Sequence, residues 1–189
     1  TRIKDYLLKF GWGAKTGIDL PSEGKGLIPD PAWKKQVKGE DWWDGDTYLF
    51  SIGQGNVLAT PLQVVSSFAA IANGGTLHAP RMVKEVVMKE NSKAIPPQIV
   101  KADIISPDNV EVVRDGMRQA VQWGSSLMLN SLPVSSAAKT GTAQTGRKDA
   151  DGKDYLYSWV SAFAPYESPE IVLTVMVEDA KEGSLAVLP

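Results

Sequence analysis

The chain has 189 residues, a net charge of −2, no cysteine and a 43% hydrophobic share, the make-up of one globular unit able to bury a core. The missing cysteines exclude disulfides and thiol catalysis, and they fit either side of a membrane. No basic block points to nucleic acid, and no apolar run is long enough to cross a bilayer.

Neither a secretory leader pattern nor an initiator methionine opens the sequence, and Thr1 falls inside a helical pattern. The chain therefore reads as a piece of a longer protein. Ile3, Tyr6, Leu7 and Phe10 recur at helical spacing, and Gly11 marks the stop. Residues 10–24 form a Gly-rich loop, expected to be packed by Trp12, Ile18 and Leu20. Asp30 followed by Pro31 predicts a short helical turn with Asp30 as cap. Thr60-Pro61-Leu62-Gln63 predicts a second helix start, because Gln63 stands where a capping box needs it. Leu62, Val65, Ala69 and Ala72 give that helix one apolar face, and Asn73-Gly74-Gly75 ends it.

Residues 76–105 read as short strands and turns broken by Pro80, Pro96 and Pro97, with Val83, Val86 and Val87 in strand. Ser106-Pro107 predicts a further helix on the same cap-and-proline device. Its buried stripe would be Val110, Val113, Met117, Ala120 and Val121, and its stop Gly124. A strand follows through Ala137-Ala138-Lys139-Thr140-Gly141-Thr142, then a charged connection from Arg147 to Asp154. Tyr157–Ala164 and Ile171–Val177 read as strands, the last apolar enough for a buried central one. Helices followed by three hairpin-linked strands predict an α+β fold, helices packed on an antiparallel sheet.

Lys139-Thr140-Gly141 holds the chemistry. On a strand, Lys139 and Gly141 point to one face, Thr140 and Thr142 to the other. Gly141 lets a ligand backbone approach. Three residues alone recur by chance as a surface strand with one lysine. The extension to Thr142-Ala143-Gln144, and the two strands behind it, change that weighting.

Lys-Thr-Gly is one of three signatures shared by penicillin-binding proteins and serine β-lactamases. With it stand Phe10-Gly11-Trp12-Gly13, Thr16-Gly17-Ile18-Asp19-Leu20-Pro21, Gly45-Asp46-Thr47, Ser51-Ile52-Gly53-Gln54-Gly55, Thr60-Pro61-Leu62-Gln63, Ile71-Ala72-Asn73-Gly74-Gly75, Ser158-Trp159-Val160 and Ala162-Phe163-Ala164-Pro165. Together these resemble the class B penicillin-binding proteins, which cross-link peptidoglycan, and among them the elongation-type branch. The match runs over most of the chain. It implies a β-lactamase/transpeptidase-like fold with its last three strands present, residues 1–189 being the C-terminal portion of a transpeptidase domain. The family's Ser-x-Asn motif has no counterpart. Its Ser-x-x-Lys motif is matched in letters only by Ser22-Glu23-Gly24-Lys25, which follows Pro21 among glycines and reads as a surface turn. Both motifs precede this region in the family. Ala138 stands where glycine often precedes the lysine, and Ser158 where histidine is common.

The resemblance implies acyl transfer through a serine ester. Lys139 and Thr142 would be catalytic. Lys139, Thr140, Gly141, Thr142 and Trp159 would bind substrate, with the Thr142 N–H in the oxyanion hole. Peptidoglycan stem peptides and β-lactams would be the ligands. The missing N-terminal part of the same protein and the cell-elongation glycosyltransferase machinery would be the partners. The location implied is the periplasmic face of the bacterial inner membrane, with the anchor outside this chain. A serine β-lactamase and a non-catalytic β-lactam sensor or scaffold are the competing readings; Gly53-Gln54-Gly55 and Thr60–Gln63 argue against the first. No cofactor is expected and no metal, since Asp149, Asp151 and Asp154 lack the spacing of a calcium loop. The lone His78 reads as structural or exposed, Trp12, Trp42 and Trp43 as packing, and Glu178-Asp179 as a solvated turn. The isolated chain is expected to be inactive.

Overall fold

The computed structural model describes residues 2–89 and 91–181. Thr1, the predicted start of the first helix, lies outside the described residues. Helices α1 (Arg2–Lys9), α2 (Pro31–Lys38), α3 (Asp44–Ser51) and α4 (Pro61–Ala72) come first. Short strands β1 (Leu77–His78), β2 (Glu85–Val87), β3 (Ser92–Ala94) and β4 (Ile99–Lys101) follow. Helix α5 (Pro107–Gln122) then precedes the long strands β5 (Ala137–Lys148), β6 (Asp154–Ala164) and β7 (Ile171–Ala180). These three form one antiparallel sheet in the order β5-β6-β7, while β1 pairs with β4 and β2 with β3. Helix α5 packs on β5, and α4 on β6 and β7. This is the α+β arrangement expected from the sequence.

The caps act as predicted at two helix starts. The Asp30 carboxylate accepts from Trp33 N at 2.7 Å. Thr60 Oγ1 accepts from Gln63 N at 3.1 Å while Gln63 Oε1 accepts from Thr60 N at 3.0 Å, the reciprocal pair of a capping box. At α5, Ser106 occupies the cap position but its side chain makes no cap bond.

The core is a set of contacts between helix and sheet. Ala72, Met117, Ala137 and Phe163 form one cluster, backed by Phe68, Ile71 and Val172. Val121, Ala138 and Val160 form a second, and Ala70, Leu77 and Ile104 a third. Arg114 ties α4, α5 and the turn after β6 together. Its guanidinium donates to Ala72 O at 3.0 Å and to Tyr166 O at 2.5 Å, and its charge lies over the Phe163 and Tyr166 rings at 5.4 and 5.5 Å.

Several expectations are corrected. Helix α3 was not foreseen: its start depends on Asp46, which accepts from Trp43 N and from buried Lys34, both at 2.7 Å, so a tertiary ion pair supplies the cap. The buried stripe of α4 is Gln63, Ser67, Ala70 and Ala72, with Leu62, Val65 and Ala69 half-buried. In α5, Val113 is exposed and Ala120 half-buried, because only Val110, Met117 and Val121 turn into the core. Val83 stands just outside β2. Leu20 and Trp43 are exposed rather than packed. Strand β5 extends to Lys148, into the predicted connection. Among the described residues strand β7 ends the sheet, with Ile171 68% and Leu173 58% exposed. Glu178 and Asp179 lie within it, at an irregularity in the β6–β7 register where Asp179 has φ +54° and pairs with Arg147.

Candidate active site

Strand β5 carries the Lys-Thr-Gly run along its free edge. Antiparallel pairing sets Lys139 opposite Ser161, Thr140 opposite Val160, Gly141 opposite Trp159 and Thr142 opposite Ser158. Lys139 and Gly141 therefore share a face, as predicted, and half-buried Trp159 stands on it. The Lys139 side chain is exposed, and its ammonium donates to the carbonyl of Thr140.

The two threonines differ. Thr140 is buried, and its Oγ1 lies 3.0 Å from Ser125 Oγ in the turn after α5. Thr142 lies one pleat further on the same side and is exposed. A Cβ at Gly141 would meet only the Trp159 Cβ, at 3.6 Å, an ordinary contact, and Gly141 is not among the positive-φ glycines. The fold itself does not demand glycine there.

The backbone of β5 presents polar groups outward. The Thr142 carbonyl accepts from Gln54 Nε2 at 3.4 Å, and Gln144 N donates to Gln54 Oε1 at 3.3 Å. In an extended strand the N–H and C=O of one residue point to the same side, so the Thr142 N–H also leaves the sheet at this edge. Gln54 is the residue that sequence reasoning missed. The Gly53-Gln54-Gly55 run was conspicuous, but its contact with β5, some 90 residues away along the chain, cannot be read from local pattern.

Gln54 is held by its own turn. Gly53 and Gly55 have φ of +72° and +79°, values that glycine adopts without strain, and Gln54 N donates to Leu49 O at 2.9 Å. The segment behind it is anchored by Gln63, whose buried amide donates to Ala14 O at 2.7 Å and Lys25 O at 2.8 Å. Gly26 is required at this junction: a Cβ would fall 2.4 Å from Leu58 O, and φ is +64°. Asp19 joins the same loop to residues 82–83 by accepting from Met82 N at 2.6 Å and Val83 N at 3.1 Å. Those two backbone donors hold the Asp19 carboxyl below its usual range.

Ser22 lies in an exposed turn at φ +62°, away from any helix. No Ser-x-x-Lys helix is present among the described residues. Buried Ser126 and Ser136 have hydroxyls without hydrogen-bond partners. No group of three metal-ligating side chains is found among the described residues. His78 is exposed on β1.

Comparison with known proteins places the chain in a family. Residues 1–187 match the family model described as the penicillin binding protein transpeptidase domain. The chain is 32% identical over 197 residues to the peptidoglycan D,D-transpeptidase MrdA of Acinetobacter baumannii, covering 98% of this chain and 29% of that protein. Among solved structures, it superposes on the penicillin-binding protein PBP2 of Helicobacter pylori in complex with MreC at a TM-score of 0.77 and 32% identity, over 96% of this chain and 35% of that one. It superposes on Pseudomonas aeruginosa PBP2 in complex with WCK 5153 at a TM-score of 0.75 and 30% identity, over 94% of this chain and 39% of that one. The chain thus spans about a third of the length of these relatives. From its first residue to its third from last, it belongs to the penicillin-binding protein transpeptidase family.

Proposed function

We propose that these residues are the Lys-Thr-Gly wall of a peptidoglycan D,D-transpeptidase, the C-terminal portion of its transpeptidase domain. The observation that carries the reading is the edge of β5. There an exposed ammonium, a glycine the fold does not require and an outward backbone N–H follow one another.

The reaction needs a serine hydroxyl to attack the penultimate D-alanine carbonyl of a stem peptide. The C–O bond forms, negative charge develops on the carbonyl oxygen, and the C–N bond to the terminal D-alanine breaks. The amine of a second stem peptide then takes the acyl group from the serine. The serine comes from a part of the parent protein outside these residues. This chain contributes electrostatics and shape. The Thr142 N–H donates to the developing oxyanion, a contribution worth about a hundred- to a thousand-fold in rate. Lys139 pairs with the substrate's terminal carboxylate, and the exposed Thr142 hydroxyl hydrogen-bonds near it. Thr140, held by Ser125, supports the strand from its buried side. Gly141 gives the substrate backbone clearance beside Trp159. A β-lactam enters the same edge and leaves a slow ester.

Partners are proposed at the same level. The H. pylori relative was solved with MreC, which supports placing the parent within cell-elongation machinery at the periplasmic face of the inner membrane. No helix among the described residues is long and apolar enough to cross a membrane, so the anchor is assigned to another part of the parent. The test is intact-mass analysis of the full-length protein after incubation with benzylpenicillin, for the wild type and for Lys139→Ala. Stoichiometric adduct on the wild type and slowed acylation of Lys139→Ala are expected. Equal acylation rates would remove Lys139 from the site. Rapid sustained turnover of penicillin would assign a β-lactamase instead, and no adduct a scaffold.

A further inference from the structure

Gln54 lies beside the proposed oxyanion donor without being it. Its amide joins two outward backbone groups, the Thr142 carbonyl and the Gln144 N–H. These belong to the two peptide planes that directly follow the plane carrying the Thr142 N–H. That preceding plane has its carbonyl, from Gly141, turned into the β6 ladder. The Thr142 N–H is thereby flanked on one side by the sheet and on the other by Gln54. A carboxamide offers a donor and an acceptor side by side in a fixed plane at every pH, and both are used here. An edge strand with open N–H and C=O groups also invites further pairing, and the Gln54 amide occupies that edge just beyond Thr142.

We propose that Gln54 is a positioning residue: it aims the Thr142 N–H and marks where a bound peptide must stop pairing with β5. The inference rests on the transpeptidase reading above. Gln54 is half-exposed and its turn is made by backbone, so its side chain can be changed without opening the core.

The experiment measures the second-order rate of acylation of the full-length protein by a fluorescent penicillin between pH 5 and 8. Wild type, Gln54→Ala and Gln54→Glu are compared, each variant divided by the wild type at the same pH. Gln54→Ala should lose about tenfold at every pH, the size expected for one or two neutral hydrogen bonds. Gln54→Glu carries the decisive signature. As a carboxylate it sets negative charge against the Thr142 carbonyl and has no donor to offer. As a neutral acid it restores both contacts, donating O–H to Thr142 O and accepting from Gln144 N. Its relative rate should therefore match or fall below that of Gln54→Ala at pH 8 and climb toward wild type as pH falls. The charged groups on the elements that meet here are Lys139, Arg147 and Lys148 on β5, Asp154 on β6, and Asp44 and Asp46 on α3. They act on every form alike, which is why the ratio is read. A flat ratio for Gln54→Glu, or a Gln54→Ala rate within twofold of wild type, overturns the inference while leaving the transpeptidase reading intact. An unlabelled wild type overturns both.

Discussion

The two halves of β5 are built on opposite principles. From Ala137 to Thr140 three of the four side chains are buried: Ala137 and Ala138 are fully covered and Thr140 is 8% exposed. This half lies against Met117 and Val121 of α5 and against Phe163 and Val160 of β6. From Gly141 onward no side chain of the strand is buried, and the backbone edge meets a single side-chain amide, that of Gln54. A ladder with β6, regular from Ala137 to Gln144, joins the halves. The first half holds the strand in place by packing. The second spends no apolar contact and so keeps its polar groups available. Rigidity is borrowed from a neighbouring segment of the same strand, a placement that favours precise geometry over a flexible loop.

The sharpest way to test that division is Thr142→Pro in the full-length protein. It deletes an N–H that points away from the ladder, which an edge strand tolerates. Acylation by penicillin should fall by about a hundred- to a thousand-fold, while the melting temperature moves little. Thr142→Ala keeps the N–H and should lose far less. A comparable loss in both would place the contribution in the hydroxyl. The converse substitution is Ala138→Leu in the buried half. The added methylenes have no room beside Val121 and Val160, and overpacking of this kind costs about 1–3 kcal/mol, read as a drop in the midpoint of denaturant unfolding. An unchanged midpoint would mean that α5 yields more easily than its packing implies. The smallest effect belongs to the exposed end of the strand. Arg147→Ala breaks a pair with Asp179 whose side chains are 58% and 46% exposed, worth about 0–1 kcal/mol and less in salt. A larger loss would show that the irregularity in the β6–β7 register depends on this pair.

The legible parts of the fold were those set by local chemistry. Asp30-Pro31 and Thr60-Pro61-Leu62-Gln63 carry their own start signals, and β7 carries its own in the β-branched run from Ile171. The parts that escaped depend on distant partners. Helix α3, Asp44-Gly45-Asp46-Thr47-Tyr48-Leu49-Phe50-Ser51, has little apolar periodicity; its start is made by Lys34 reaching Asp46 from α2. The hidden face of α4 carries polar residues, because Gln63 donates to backbone carbonyls of another segment and Ser67 donates back to Gln63 O within the helix, and a count of hydrophobic spacings passes over such residues. In the site, Lys139, Gly141 and Trp159 fall on one face by simple alternation. The contrast between Thr140 and Thr142 does not follow from alternation: it arises because Ser125, in the turn after α5, covers one and leaves the other.

Gln63 grips residues 14 and 25 by their carbonyls alone, and every residue type has one. The hold is indifferent to which side chains those positions carry. Positions 14 and 25 are therefore free to drift in composition while the path of the loop stays constant, and among relatives the amide at position 63 should persist more firmly than the two residues it holds.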